Sequence, residues 1–243
     1  MKIKKNIPNF ITLLNLFSGC LSIVATFENN WVWAAYFIGI AAILDFLDGT
    51  FARILNAKSE TGKQLDSLAD IISFGVAPAI ILFQLIRHSP DLPVLEISNI
   101  NLLPFIAFFI PVFSALRLAK FNIDTRQTES FIGLPTPANA IFIASLPLIL
   151  IQQFPDNQWI FDTIKSSWFL MALTIILSIL LISNIPLFSL KFKNLKWNDN
   201  KDRYIFLVIS IAFILIFYFA AIPLIIILYI LISVLANQLN HKE

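Results

Sequence analysis

Long apolar runs broken by short polar stretches set the pattern of this chain. Runs close to the ~17 to 25 residues needed to cross hydrocarbon fall at 9–27, 32–53, 65–87, 102–121, 136–153, 167–187, 204–220 and 222–237. Each predicts a helix, because a bilayer leaves backbone polar groups no partner outside a helix or a closed barrel. The expected fold is all-α: a polytopic membrane helix bundle of six core transmembrane helices plus two C-terminal helices. The last two runs are separated only by Ala221 to Pro223, so one long kinked helix over 204–237 is the competing reading.

Composition agrees with this pattern. Of 243 residues, 58% are hydrophobic, 13% are charged and 24 are Phe, which excludes a chain that folds in water. No repeat or low-complexity linker divides it, so residues 1–243 read as a single integral membrane domain. The basic start and apolar run of MKIKKNIPNFITLLNLFSG resemble a secretory signal. Asn9, Thr12 and Asn15 interrupt that run and no small-residue cleavage site follows, so it reads as the first span. Cys20 is the one cysteine, and the expected reading is a packed, inert thiol.

Charge orients the bundle. Eight crossings that start inside place Met1–Pro8, Arg53–Lys63, Arg117–Arg126, Lys191–Arg203 and the C-terminal tail on one side, with 15 of the 17 Lys and Arg. Only Arg87 and Lys165 lie opposite. The positive-inside rule then predicts an inner-membrane protein with both termini on the cytoplasmic side. A basic belt there suits anionic lipid heads, and nothing suggests nucleic acid.

The charged residues that do not fit a bilayer lie in DFLDGTFARILNAKSETGKQLDSLAD, Asp45 to Asp70. An Asp at mid-bilayer costs about 2.5 to 3.5 kcal/mol on the insertion scale, so four on two adjacent helices require compensation. At about 100° per residue, Asp45, Asp48, Gly49 and Ala52 share one helix face. After the break at Ser59–Thr61, Gly62, Asp66 and Asp70 are four apart and form a second stripe. Two antiparallel helices joined by that turn would aim the carboxylates into one cavity. Hard oxygen donors at this density suit Mg2+ or Mn2+. With one Cys and two His (His88 and His241) in the chain, a thiolate or imidazole site is not available.

These residues spell DxxDGxxAR, eight residues, then GxxxDxxxD. In this the chain resembles the CDP-alcohol phosphatidyltransferase family, and Asp45, Asp48, Gly49, Ala52, Arg53, Gly62, Asp66 and Asp70 occupy the motif positions. The resemblance covers residues 5–190 and leaves 204–237 without recognised chemistry. It implies transfer of a phosphatidyl group from CDP-diacylglycerol to an alcohol, with CMP leaving; no Ser or His within the motif recommends itself as a nucleophile, so direct displacement is the expected route. It also implies a two-metal site on Asp45, Asp48, Asp66 and Asp70, with Asp70 also taking the proton of the incoming hydroxyl. By the same resemblance Asn9, Thr12, Gly49, Ala52, Arg53, Ser59 and Gly62 would hold the CDP-lipid, and a homodimer is expected. Ser59 has a second reading as the cap of the third helix.

Three further segments bear on the acceptor. PNFITLLN puts Asn9, Thr12 and Asn15 at the start of the first helix and resembles the family's PNxxTxxN variant. RLAKFN places Arg117, Lys120 and Asn122 at the end of the fourth helix, where a cationic pair would suit a carboxylate and Asn122 an ammonium group. FIGLPTPANA, with Gly133, Pro135 and Pro137, reads as a turn at a cavity edge. Together they resemble the members that use L-serine, and Asn15, Arg117, Lys120 and Asn122 are the expected acceptor residues. Glycerol 3-phosphate or an inositol phosphate is the alternative acceptor. A divalent-cation transporter is the alternative from another class, since intramembrane acids often mark ion pathways; against it, the runs from 136 onward carry almost no acids.

Overall fold

The computed structural model describes residues 2–57, 59–123, 131–154, 156–187 and 197–240. Lys191, Lys193 and Lys196 of the basic stretch, Arg126 and Lys242 lie outside the described residues. Helices account for nearly all of the rest: α1 (Lys2–Phe27), α2 (Trp31–Ile54), α3 (Glu60–Asp70), α4 (Ala77–Arg87), α5 (Phe109–Ile123), α6 (Thr136–Leu148), α7 (Gln158–Lys165), α8 (Ser167–Ile182), α9 (Trp197–Phe217) and α10 (Ala221–Asn240). The all-α membrane bundle read from the sequence is the fold observed, and the chain is a multi-pass integral membrane protein. Asn6–Phe27, Trp31–Ile54, Glu60–Arg87, Leu103–Ile123 and Thr136–Gln153 are each long and apolar enough to span. So are α7 and α8 taken together across their 58° bend.

The run Arg203–Leu235 also passes by length, but it is not one straight helix. The rings of Phe206 and Tyr229 lie 5.7 Å apart, whereas 23 residues of straight helix would separate them by roughly 35 Å. α9 and α10 therefore fold back on each other through Tyr218–Ala220, where Tyr218 adopts φ 45°. Breaking a helix here frees backbone groups that need partners. Gln153, at the end of the α6 span, supplies them: its amide donates to the Phe217 carbonyl at 2.7 Å and accepts from the Ala220 N–H at 2.8 Å.

At the centre of the bundle lies the span made of α3, a π turn (Ile71–Val76) and α4. Phe74, Ile81, Leu82 and Ile86 are fully buried within it. The π turn is held from two sides. Gly19 of α1 lies so close that an added Cβ would fall 2.7 Å from the Ser73 Cα, and Gly75 faces Pro111 of α5. Ser73 completes the contact by donating to the Asn15 carbonyl at 2.9 Å. α1 and α2 lie along each other through small polar residues, with Ser18 donating to the Phe37 carbonyl and Ser22 to the Ala34 carbonyl, both at 2.7 Å.

Two short antiparallel pairs close opposite ends of the bundle. β1 (Glu96–Ile97) and β2 (Ile100–Asn101) form a hairpin whose turn residues Ser98 and Asn99 have positive φ, the conformation of a type I′ turn. β3 (Phe131–Ile132) pairs with β4 (Pro186–Leu187) at the other end. There Gly133 at φ 75° packs on carbonyls of Leu181 and Ser183 that a Cβ would strike. The expected turn at GLPTP is thus fixed by the end of α8.

Candidate active site

The chain leaves α2 through a tight turn at Leu55–Ala57, where Asn56 has φ 49° and Ala57 donates back to the Ala52 carbonyl at 2.9 Å. Ser59 then caps α3, accepting from the Gly62 N–H at 3.0 Å. Although this turn is short, α2 and α3 do not pack closely on each other; each packs on α1. The gap between them is the cavity.

Across that gap, oxygens of Asp45 and Asp48 from α2 and Asp66 from α3 lie within 4.8 Å of one another. Asp48 is buried, and its Oδ2 lies 2.7 Å from the Thr12 hydroxyl, which also lies 3.0 Å from the Pro8 carbonyl. The hydroxyl has one proton for the two acceptors, and the shorter contact is the one to Asp48. No neighbouring cation among the described residues compensates the three acids. Arg53 is exposed and donates to the Gly49 carbonyl of its own helix at 2.9 Å, and Lys63 donates to the Asn122 carbonyl at 2.7 Å. Three carboxylates so close within a membrane protein need a counter-charge. Their donor set, all hard oxygen with open space beside it, fits a divalent cation.

The open space is a cavity of ≈ 160 Å³ bounded by Asn9, Thr12 and Pro8 of α1, Asp48, Gly49 and Ala52 of α2, and Ser59, Gly62, Lys63 and Asp66 around α3. A Cβ at Gly49 would meet nothing within 4 Å, so the missing side chain widens the cavity. At Gly62 a Cβ would come within 3.0 Å of the Asn9 Oδ1 and the Ser59 Oγ, so here the glycine permits a close approach. Of the residues expected to hold the CDP-lipid, all but Arg53 line this cavity. Arg53 lies off its wall because its guanidinium folds back along α2.

Asp70 stands one turn beyond Asp66 and outside the trio. It is buried, accepts from the Asn15 amide at 3.4 Å, and feels the charge of Arg117 on α5. Around it several buried polar atoms lack partners among the described residues: the Asn15 Oδ1, the Arg117 Nε and the Ser114 Oγ. Thr136 and Asn139 in the first turn of α6, which packs on the π turn after Asp70, are likewise buried without partners. Such groups are costly unless something satisfies them.

Two expected acceptor residues sit differently. Lys120 is exposed at the helix end rather than beside the buried Arg117, since three residues is short of a full turn and a long ammonium side chain reaches for the surface. Asn122 donates to the Ser67 hydroxyl at 2.8 Å and so ties α5 to α3. Lys63, Ser114, Thr136 and Asn139 were not singled out from the sequence. For Ser114 the available signal was its place one turn before Arg117.

The family model for CDP-alcohol phosphatidyltransferase matches residues 5–180. A CDP-diacylglycerol--serine O-phosphatidyltransferase of Helicobacter pylori is 32% identical over 209 residues, 85% of this chain and 81% of its own. A protein of the same name from Mycobacterium leprae is 38% identical over 188 residues, 74% of this chain and 57% of that one. Another, from Bacillus subtilis, is 38% identical over 135 residues, 54% of this chain and 69% of that one.

Proposed function

Because this chain belongs to the CDP-alcohol phosphatidyltransferase family, we propose that it transfers the phosphatidyl group of CDP-diacylglycerol to the hydroxyl of L-serine, releasing CMP. The observation that carries this reading is the carboxylate trio of Asp45, Asp48 and Asp66 opening onto a cavity walled by small residues. The names of the relatives supply the acceptor.

In this reading Asp45, Asp48 and Asp66 would hold Mg2+ or Mn2+, and Asp70 would serve a second ion. When bound, these ions neutralise the pyrophosphate and stabilise charge on the leaving CMP. The protein's own part is positional. Thr12 fixes the Asp48 carboxylate, while Gly49, Ala52 and Gly62 leave room for the nucleotide against the backbone and Asn9 and Ser59 offer it polar contacts. Arg117, with its unpartnered Nε, takes the serine carboxylate. Asn15 orients Asp70, which accepts the proton of the serine hydroxyl as that oxygen attacks phosphorus and the bond to CMP breaks. Direct displacement is favoured because Ser59, the serine on the cavity wall, is engaged as the cap of α3 with no histidine beside it to activate it, His88 lying at the far end of α4. The distribution of Lys and Arg supports an inner-membrane location with the site and both termini facing the cytoplasm. A homodimer belongs to the same reading.

The test is purified protein supplied with CDP-diacylglycerol, Mn2+ or Mg2+, and each alcohol in turn. CMP release is expected with serine. Release with glycerol 3-phosphate or inositol phosphate and none with serine overturns the acceptor. Arg117→Ala is expected to raise the KM for serine and leave that for the lipid nearly unchanged.

A further inference from the structure

At the end of the bundle away from the acidic trio, a second cavity of ≈ 280 Å³ opens between four helices. Its walls include Trp31 from α2, Leu85 and His88 at the end of α4, Leu150 from the α6 span, and Phe161 and Lys165 from α7. The floor is apolar and the rim is not. Lys165 is half-buried, and its ammonium lies 5.2 Å from the centre of the Phe161 ring. No carboxylate of the described residues pairs with it. The His88 Nδ1 is engaged by the Gln84 carbonyl at 2.8 Å, which accepts and so makes this nitrogen the donor, leaving Nε2 as the ring's remaining polar atom. Trp31 meets the same ring edge-on at 6.5 Å. Arg87, the adjacent residue, is exposed and is not part of the cavity wall, so Lys165 is the cation that lines it.

We propose that this cavity binds an anionic glycerophospholipid of the leaflet opposite the acidic site. Its phosphate would sit against Lys165, and the upper part of one acyl chain would enter between Leu85, Leu150 and Phe161. Charge complementarity singles out this occupant. A half-buried lysine on the wall of an apolar pocket, with no acid partner among the described residues, is complemented by a phosphate diester, while the apolar floor disfavours a freely hydrated anion. Trp31 opens the α2 span, and span ends are where tryptophans commonly meet lipid head groups. The volume is near the lower end of the ~300–1,000 Å³ common for ligand sites, enough for part of one lipid. Such a lipid would bridge α2 and α4, whose opposite ends carry or continue into the acidic trio. The inference does not depend on which reaction the trio performs.

The full-length protein in a neutral detergent is the sample, and native mass spectrometry counts retained lipid. Phosphatidylglycerol is the probe and phosphatidylcholine its zwitterionic control. The wild type is expected to hold one phosphatidylglycerol roughly ten- to thirtyfold more tightly than Lys165→Glu, as reversing one charge near a lipid phosphate implies. Lys165→Gln should fall between them, and phosphatidylcholine should bind all three alike. Brominated-chain phosphatidylglycerol should quench wild-type fluorescence more than that of Trp31→Phe, one of five tryptophans being removed. Equal phosphatidylglycerol retention by wild type and Lys165→Glu overturns the proposal. So does displacement of the bound lipid by inorganic phosphate alone, which would mark a small-anion site.

Discussion

Thr12→Val isolates one contact of the site. The two side chains have nearly the same shape, and Thr12 is buried, so valine fills the same space in a membrane helix and only the hydroxyl is lost. That hydroxyl lies 2.7 Å from the Asp48 Oδ2. A hydrogen bond to a charged group contributes about 1.5–3 kcal/mol, or roughly 10- to 150-fold in an equilibrium constant. Losing a group that orients a metal-binding carboxylate typically costs ~10- to 100-fold in metal affinity or activity, and the two ranges agree. The assay is CMP release at saturating lipid and serine as Mn2+ is varied. Half-saturating Mn2+ should rise by ~10-fold or more in Thr12→Val, the maximal rate should largely recover at high metal, and Thr12→Ser should stay near wild type. A Thr12→Val protein with the wild-type Mn2+ requirement refutes the link between Thr12, Asp48 and the metal.

Other outcomes test separate parts of the structure. Gly49→Ala adds a methyl that meets no protein atom, so the melting temperature should hold while the KM for CDP-diacylglycerol rises. Gly19→Ala drives a Cβ into the Ser73 backbone and should lower the melting temperature by an amount matching the ~1–3 kcal/mol typical of overpacking. At the other end of the bundle Asp91 anchors the start of α8, accepting from the Ser167 N–H at 2.7 Å and the Ser166 hydroxyl at 2.8 Å. Slight burial raises its pKa, but these bonds outweigh it and leave the carboxyl below its ordinary value. Its stabilisation is therefore present above the unfolded value near ~3.9 and lost as pH falls through the lower folded one. Asp91→Asn should melt below wild type at neutral pH, and the gap should close only in acid, below about pH 4.

Most of the fold could be read in the sequence because hydrocarbon imposes a length on each apolar run, and the spans through 153 fall close to where those runs lie. The return of α9 on α10 was expected, as two spans at 204–220 and 222–237 in preference to one kinked helix, but what holds it was hidden. Ala221–Pro223 permits either a kink or a reversal, and the choice rests on Gln153 and on Phe206 meeting Tyr229, contacts distant in sequence. The π turn after Asp70 was equally hidden, since it depends on Gly19 letting α1 approach Ser73. At the site, four-residue spacing was enough to bring Asp66 toward Asp45 and Asp48. Spacing did not reveal that α1 stands behind both helices, or that Thr12 contacts Asp48. It also could not foresee that Arg53 turns to its own helix or that Lys120 reaches the surface, because a long side chain at a helix end has several directions open to it.

The central claim is that carboxylates from α2 and α3 hold a divalent cation beside the cavity. Titration of the purified protein with Mn2+, followed by electron paramagnetic resonance of the free ion, measures this directly. The wild type should take up Mn2+ tightly, and Asp66→Asn, inserted and melting normally, should lose that uptake together with CMP release. Undiminished Mn2+ binding by Asp66→Asn would contradict the assignment.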